Sequence, residues 1–249
     1  MQHAAPRGPP ALPPRGGAGR VIPLRDVNPS ATVPIVTRTL ILINVVAFLY
    51  EFSLGPDLRA FMLAWGFVPA RLSYSLHVGG EPLPGVALTV LSSMFLHGGW
   101  AHLIGNMWYL WIFGDNVEDR LGHFGYLVFY LVAGAIAALV QYATQPDAQL
   151  PTVGASGAIA GVLGAYAVAF PRARVITLVP LLIFFQVLPL PALLVLGLWF
   201  VYQFLFGALS LSASGVSGGI AFWAHIGGFA FGAVAMLLLG GRTRRAVEG

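Results

Sequence analysis

Ser156 stands in the run Gly154-Ala155-Ser156-Gly157 at the head of an apolar segment, and His225 lies in the middle of another. A hydroxyl and an imidazole are the minimum parts of a serine hydrolase, because the imidazole takes the proton whose loss makes the hydroxyl oxygen nucleophilic. An ionisable group costs a few kcal/mol at the centre of a bilayer, so an intramembrane His is a functional-site hypothesis by default. Set in segments long enough to cross a membrane, the pair points to peptide-bond hydrolysis where water is scarce. A second constellation is HGGWAHLIGNM, which holds His97, His102 and Asn106. His102 and Asn106 have i, i+4 spacing and share a helix face. Zinc is the first rival, since His pairs at this spacing suit it. No Glu follows either His in HExxH fashion, and Asn is a poor zinc ligand. An imidazole N–H and an amide N–H are good donors to an oxyanion. No Asp or Glu lies near His225 in the sequence, so the expected machinery is a dyad whose imidazole is held by packing, with no metal and no cofactor.

The elements that carry these residues must bring them together. Gly157 and Gly161 repeat at i, i+4, as do Gly228 and Gly232, and small residues at that spacing let two helix backbones approach closely. His225 precedes Gly228 by three positions, on roughly the same face. Packing the two glycine faces delivers the imidazole to Ser156. The segment from Ser156 to Pro171 offers only about 15 residues, or roughly 22 Å, against a hydrocarbon core of about 30 Å. With Arg172 and Arg174 anchoring its far end, Ser156 is expected below the opposite surface. There the free N–H groups of a helix start favour developing negative charge.

Composition sets the environment. The chain has 249 residues, is 57% hydrophobic and is 9% charged, with a mean hydropathy of +0.81. Soluble domains carry about 25% charged residues, so the expectation is an all-α, polytopic integral membrane protein. The absence of cysteine removes disulfides, thiolate metal sites and a Cys nucleophile together. Six apolar segments run from about Thr37 to Leu54, His97 to Gly114, Phe124 to Thr144, Ala155 to Phe170, Pro191 to Phe206 and Gly219 to Gly240. Pro180, Pro189 and Pro191 break the stretch that follows Val175, whose first half reads as an interfacial connection. All basic residues are Arg. Eleven of the 13 fall on one side of a six-span layout, leaving Arg59 and Arg71 in the loop from Gly55 to Leu96. The positive-inside rule then places both termini in the cytoplasm. The basic balance speaks to topology and not to nucleic acid. Residues 1–33 read as a disordered cytoplasmic tail, 34–241 as the membrane domain and 242–249 as a short basic tail.

The chain resembles the rhomboid family of intramembrane serine proteases. The shared motifs are His97-x4-His102-x3-Asn106, Gly154-x-Ser156-Gly157 and Ala224-His225-x2-Gly228-x3-Gly232, in that order on the expected helices, over roughly residues 34 to 241. The run Gly114 to Gly122 also looks like the family's turn after its second helix. The resemblance implies a six-helix bundle in a bacterial inner membrane, with the active site open to the extracytoplasmic side and no cofactor. Ser156 would attack the scissile carbonyl, His225 would act as base and then acid, and His102, Asn106 and the Ser156 N–H would hold the oxyanion. Gly154 would bind substrate backbone, and His97 would be structural. Substrates would be transmembrane proteins, cut within the lipid bilayer. Two positions depart from the pattern. Ala160 replaces an aromatic that stacks on the base in some members, which leaves Trp223 or Phe222 to hold the imidazole. Leu88-Thr89 replaces a Trp-Arg pair in the first loop. A catalytically inactive, client-binding relative is the main alternative, and it would be expected to lack Ser or His. A small transporter would need internal hydropathy repeats, and none is visible.

Overall fold

A computed structural model describes residues 22–79, 82–181, 184–212 and 221–243. Parts of the expected terminal tails, 1–21 and 244–249, lie outside the described residues, as does the start of the sixth segment at Gly219. The described chain is mostly helical, as expected of a polytopic membrane protein. The strand β1, Ile22–Asp26, leads into α1, Ile35–Ser53. The long loop then folds into α2, Leu58–Trp65, α3, Pro69–His77, and α4, Leu83–Ser92. Next come α5, Trp100–Leu121, α6, His123–Thr144, and α7, Ser156–Ala169. The hairpin β2, Arg174–Leu181, and β3, Phe184–Pro191, precedes α8, Ala192–Ser212, and α9, Phe222–Thr243. The helices α1, α5, α6, α7, α8 and α9 overlap the six expected segments.

Length and composition qualify α1, α6, α8 and α9 as membrane spans outright. The helix α5 qualifies together with the α4 segment, across a break where the chain turns by 81°. His97 lies in that break and not, as expected, at the head of the second span. The far end of α5 also differs from expectation. The helix runs through Asp115 to Leu121, and the turn falls only at Gly122, whose φ of +71° a side chain rarely adopts. The charged residues of this run therefore stay on the helix, where they find partners.

The short apolar helix α7 sits at the centre. Every residue from Ala158 to Ala167 is buried, as a helix apolar on all faces must be. Around it, Leu110, Phe113 and Val117 of α5, Tyr126 and Tyr130 of α6, Leu196 of α8 and Met236 of α9 build a continuous core.

The sheet is the chief departure from the sequence reading. β2 pairs antiparallel with β3 on one side and with β1 on the other, in the order β1-β2-β3. The stretch expected to be an interfacial connection is thus a hairpin, favoured by the β-branched Val175, Ile176, Thr177, Val179 and Val187. Pro189 and Pro191 are tolerated because β3 is an edge strand. The expected disorder of residues 1–33 also fails from Ile22 onward. Val27 N–H donates to Arg174 O at 2.9 Å, and Trp108 Nε1 donates to Pro23 O at 2.7 Å.

Candidate active site

Ser156 is the first residue of α7, and the loop before it is fixed at several points. Thr152 N–H donates to Phe67 O at 2.7 Å, and Gly154 N–H donates to Ser93 O at 2.8 Å. Gly154 has φ +124°, and a Cβ there would lie 2.7 Å from His102 Cε1 and Nε2 and 3.6 Å from Asn106 Nδ2. Both the backbone angle and the space demand glycine. The same contact means that His102 and Asn106 lie directly against the backbone two residues ahead of the serine.

The glycine faces meet as their spacing predicts. A Cβ on Gly228 would clash with the Gly157 carbonyl, and one on Gly232 would clash with the Gly161 carbonyl. On the other flank, Gly157 and Gly161 face Ala137 and Ala133 of α6, where a Cβ would come within 2.7 and 2.6 Å. Gly164 extends the seam by another turn, against the Phe229 carbonyl of α9. The sequence reading passed over that third glycine, although its i, i+7 distance from Gly157 signals it.

This seam sets the distance between the two candidate residues. His225 is buried, and its Nε2 lies 2.8 Å from Ser156 Oγ. Its Nδ1 lies 2.9 Å from Oε1 of Gln203 on α8. Gln203 was missed at the sequence level; the available signal is a lone amide in mid-span, which must find a partner there. The Trp199 ring also flanks the imidazole, with centroids 5.9 Å apart and planes inclined by 39°. Trp223 and Phe222, expected to hold the imidazole in place of an aromatic at Ala160, pack instead against Phe204 and Phe206. Both precede His225 on its own helix and turn toward α8, so the support comes from the neighbouring helix. Gln141 of α6 accepts the Ala224 N–H at 3.2 Å, fixing the backbone just ahead of His225.

The second constellation is close by. Gly98 N–H donates to His102 Nδ1 at 3.3 Å. A neutral imidazole that accepts at Nδ1 carries its proton on Nε2, the nitrogen that faces Gly154. Asn106 is buried, and its Nδ2 has no hydrogen-bond partner among the described residues. His97 is buried too, and its backbone N–H donates to Glu51 Oε2 at 3.1 Å. Its ring meets Phe48 edge-on at 6.4 Å and His102 at 5.2 Å. Both ring nitrogens lack hydrogen-bond partners among the described residues, so its visible contacts are those of packing. Among the described residues, no three His, Asp or Glu side chains gather as a metal site would require.

Comparison with known proteins covers the greater part of the chain. A family model described as "Rhomboid domain" matches residues 84–242. "Rhomboid protein 1, mitochondrial" of Saccharomyces cerevisiae is 29% identical over 168 residues, covering 65% of this chain and 43% of that protein. "Rhomboid-like protein 11, chloroplastic" of Arabidopsis thaliana is 40% identical over 72 residues, 29% of this chain and 25% of that protein. "Presenilin-associated rhomboid-like protein A, mitochondrial" of Danio rerio is 35% identical over 100 residues, 39% of this chain and 26% of that protein. The chain thus spans less than half the length of each of these relatives. Their names are organellar, whereas the sequence reading favours a bacterial inner membrane; the multi-pass membrane character is common ground.

Proposed function

Because this chain belongs to the rhomboid family, we propose that it is an intramembrane serine endopeptidase, cleaving transmembrane segments of membrane proteins through a Ser156–His225 dyad. The observation that carries this proposal is the 2.8 Å contact between Ser156 Oγ and His225 Nε2, held inside a seam of backbone contacts. Ser156 Oγ attacks the scissile carbonyl carbon as His225 Nε2 takes its proton. The imidazolium then protonates the departing amine, and water repeats the sequence to release the acyl group.

The oxyanion forms beside the start of α7. The Ser156 N–H belongs to the first turn of a helix, where N–H groups lack intrahelical acceptors. His102 Nε2–H and the Asn106 amide supply two further donors from α5. Gly154, half-buried against His102 and Asn106, is the position at which the substrate backbone would bind. Gly157, Gly161, Gly228 and Gly232 hold the dyad together, and His97 backs the His102 ring. The arginine bias supports an orientation with both termini in the cytoplasm and the site opening on the opposite side.

The test is cleavage of a panel of transmembrane reporters by purified protein in liposomes, beside labelling with a fluorophosphonate probe. Wild type is expected to cleave and to be labelled at Ser156 alone. Ser156→Ala should be inert yet fold normally, since it removes one oxygen. Cleavage by that variant would remove the nucleophile assignment. A folded wild type that binds membrane proteins but neither cleaves nor labels would favour the client-binding alternative.

A further inference from the structure

We infer that Gln203 is a positioning residue for this reaction, holding His225 in the tautomer and orientation that receive the Ser156 proton; the assignment rests on the protease function proposed above. The imidazole has two hydrogen-bond partners among the described residues, at opposite corners of the ring. Nε2 meets Ser156 Oγ at 2.8 Å, and Nδ1 meets Gln203 Oε1 at 2.9 Å. A neutral imidazole has a single N–H, and an amide carbonyl oxygen can only accept. The proton therefore sits on Nδ1, and the Nε2 lone pair is left facing the serine hydroxyl. With the other tautomer, Nε2 would carry the proton and could not act as base.

The two contacts also fix the ring plane, and α8 adds a third constraint. Trp199 lies one turn ahead of Gln203, at the spacing that puts two side chains on one helix face. Its ring flanks the imidazole while the amide grips the edge. When Nε2 takes the proton, the Nδ1–H remains donated to Oε1, so no partner moves during the transfer. An amide does this without a formal charge. A carboxylate in the same place would keep a proton on the imidazole to higher pH, because its charge in mid-span is costly unless paired.

The experiment uses the full chain in micelles, with Gln203→Met and Gln203→Glu beside wild type. Gln203→Met keeps the length and loses the acceptor. It should lower kcat and the fluorophosphonate labelling rate by about 10- to 100-fold, part of the 10²–10⁴ that a positioned base supplies, with KM changed less than about twofold. Gln203→Glu keeps an acceptor and should recover most of kcat at its optimum. Its acid limb should move to higher pH, because a carboxylate beside the imidazolium favours the protonated ring. Among the described residues, the other titratable group acting on this ring is His102, which both variants retain. Nitrogen-15 spectra of labelled histidine, with His225 assigned by its substitution, should report an Nδ1–H tautomer in wild type and its loss in Gln203→Met.

A merely structural glutamine would leave kcat per folded molecule and the His225 tautomer unchanged in Gln203→Met. Wild-type labelling at Ser156 with no change in Gln203→Met overturns this assignment alone. Absence of labelling in wild type overturns the protease function and this assignment with it. If Gln203→Met does not fold, the wild-type tautomer and the Gln203→Glu profile decide: an Nε2–H ring or an unmoved limb overturns the proposal.

Discussion

The two ends of the bundle use their polar groups in opposite ways. At the end that carries β1, the carboxylates are supplied with donors. Glu118 takes N–H groups from Val36 and Thr37 at 2.8 and 2.7 Å and the Thr37 hydroxyl at 2.7 Å, and its Oε1 lies 2.6 Å from His123 Nδ1. Asp119 takes the N–H groups of Ala31 and Thr32 at 2.9 and 3.0 Å. Asp26 accepts the Tyr166 hydroxyl at 2.7 Å. At the serine end, Asn106 Nδ2 is buried with no partner among the described residues, and the His102 Nε2 edge is turned to bare glycine backbone. Buried donors without acceptors are rare because they cost stability. Beside the proposed nucleophile, they fit a negative charge that would exist only during reaction. On the function proposed above, one end is built for the ground state and the other for a transition state.

That contrast is open to test, beginning with the largest effect. Asn106→Ala and His102→Ala should each lower kcat about 100- to 1,000-fold, or roughly 2.7–4 kcal/mol of barrier, as losing one oxyanion donor does. KM should barely change, because the donors act mainly in the transition state. Asn106→Ala should leave the melting temperature almost unmoved, since the lost Nδ2 has no partner among the described residues. Removing both donors should cost less than the product of the single losses. A large stability loss with normal turnover would reverse the contrast.

Glu118→Gln should do the opposite. A glutamine offers one acceptor oxygen where the carboxylate offers two, and it turns an NH₂ toward other donors. The expected loss is about 1.5–3 kcal/mol of stability, the range for a hydrogen bond to a charged group, with kcat per folded molecule unchanged. Denaturation of the two proteins in matched micelles, with turnover normalised to folded protein, checks both halves.

The smallest effect is electrostatic. Burial pushes the Asp26 carboxyl up from 3.8 to about 6, against the Tyr166 hydrogen bond, and nearby Asp115 pushes the same way. A raised value means that the folded protein holds the proton more tightly than the unfolded chain. Its contribution is complete below pH 3.8 and is lost as pH rises through about 6. The melting temperature should fall by a few degrees at most between pH 5 and pH 7.5. Asp26→Asn should flatten that part of the profile, and an unaltered slope would show that another group governs it.

How much of this was legible beforehand follows from the range of each interaction. The Ser156–His225 contact and its seam could be read because glycines at i, i+4 encode a close approach on each helix independently, and His225 shares a face with its own pair. Gly164 belongs to the same pattern and could have been added. Gln203 is different, since one amide in an apolar run forms no motif and gains meaning only when α8 lies against α9. The sheet was hidden for a related reason. β1 sits in a proline-rich tail whose partner is the hairpin beyond α7, and local propensity says nothing about a pairing so remote. The end of α5 was misread because charged residues look like a loop until their partners in the tail are known.

The β1–β2 pairing also has a consequence for how the chain is made. Ile22 pairs with Leu178, so the first strand leaves the ribosome long before its partner exists. At roughly 5–20 residues per second, it waits on the order of ten seconds, while the helices between them are inserted. Closure of this sheet is thus a late step in biogenesis. A chain that stalls before residue 174 carries a first strand with no partner to pair with.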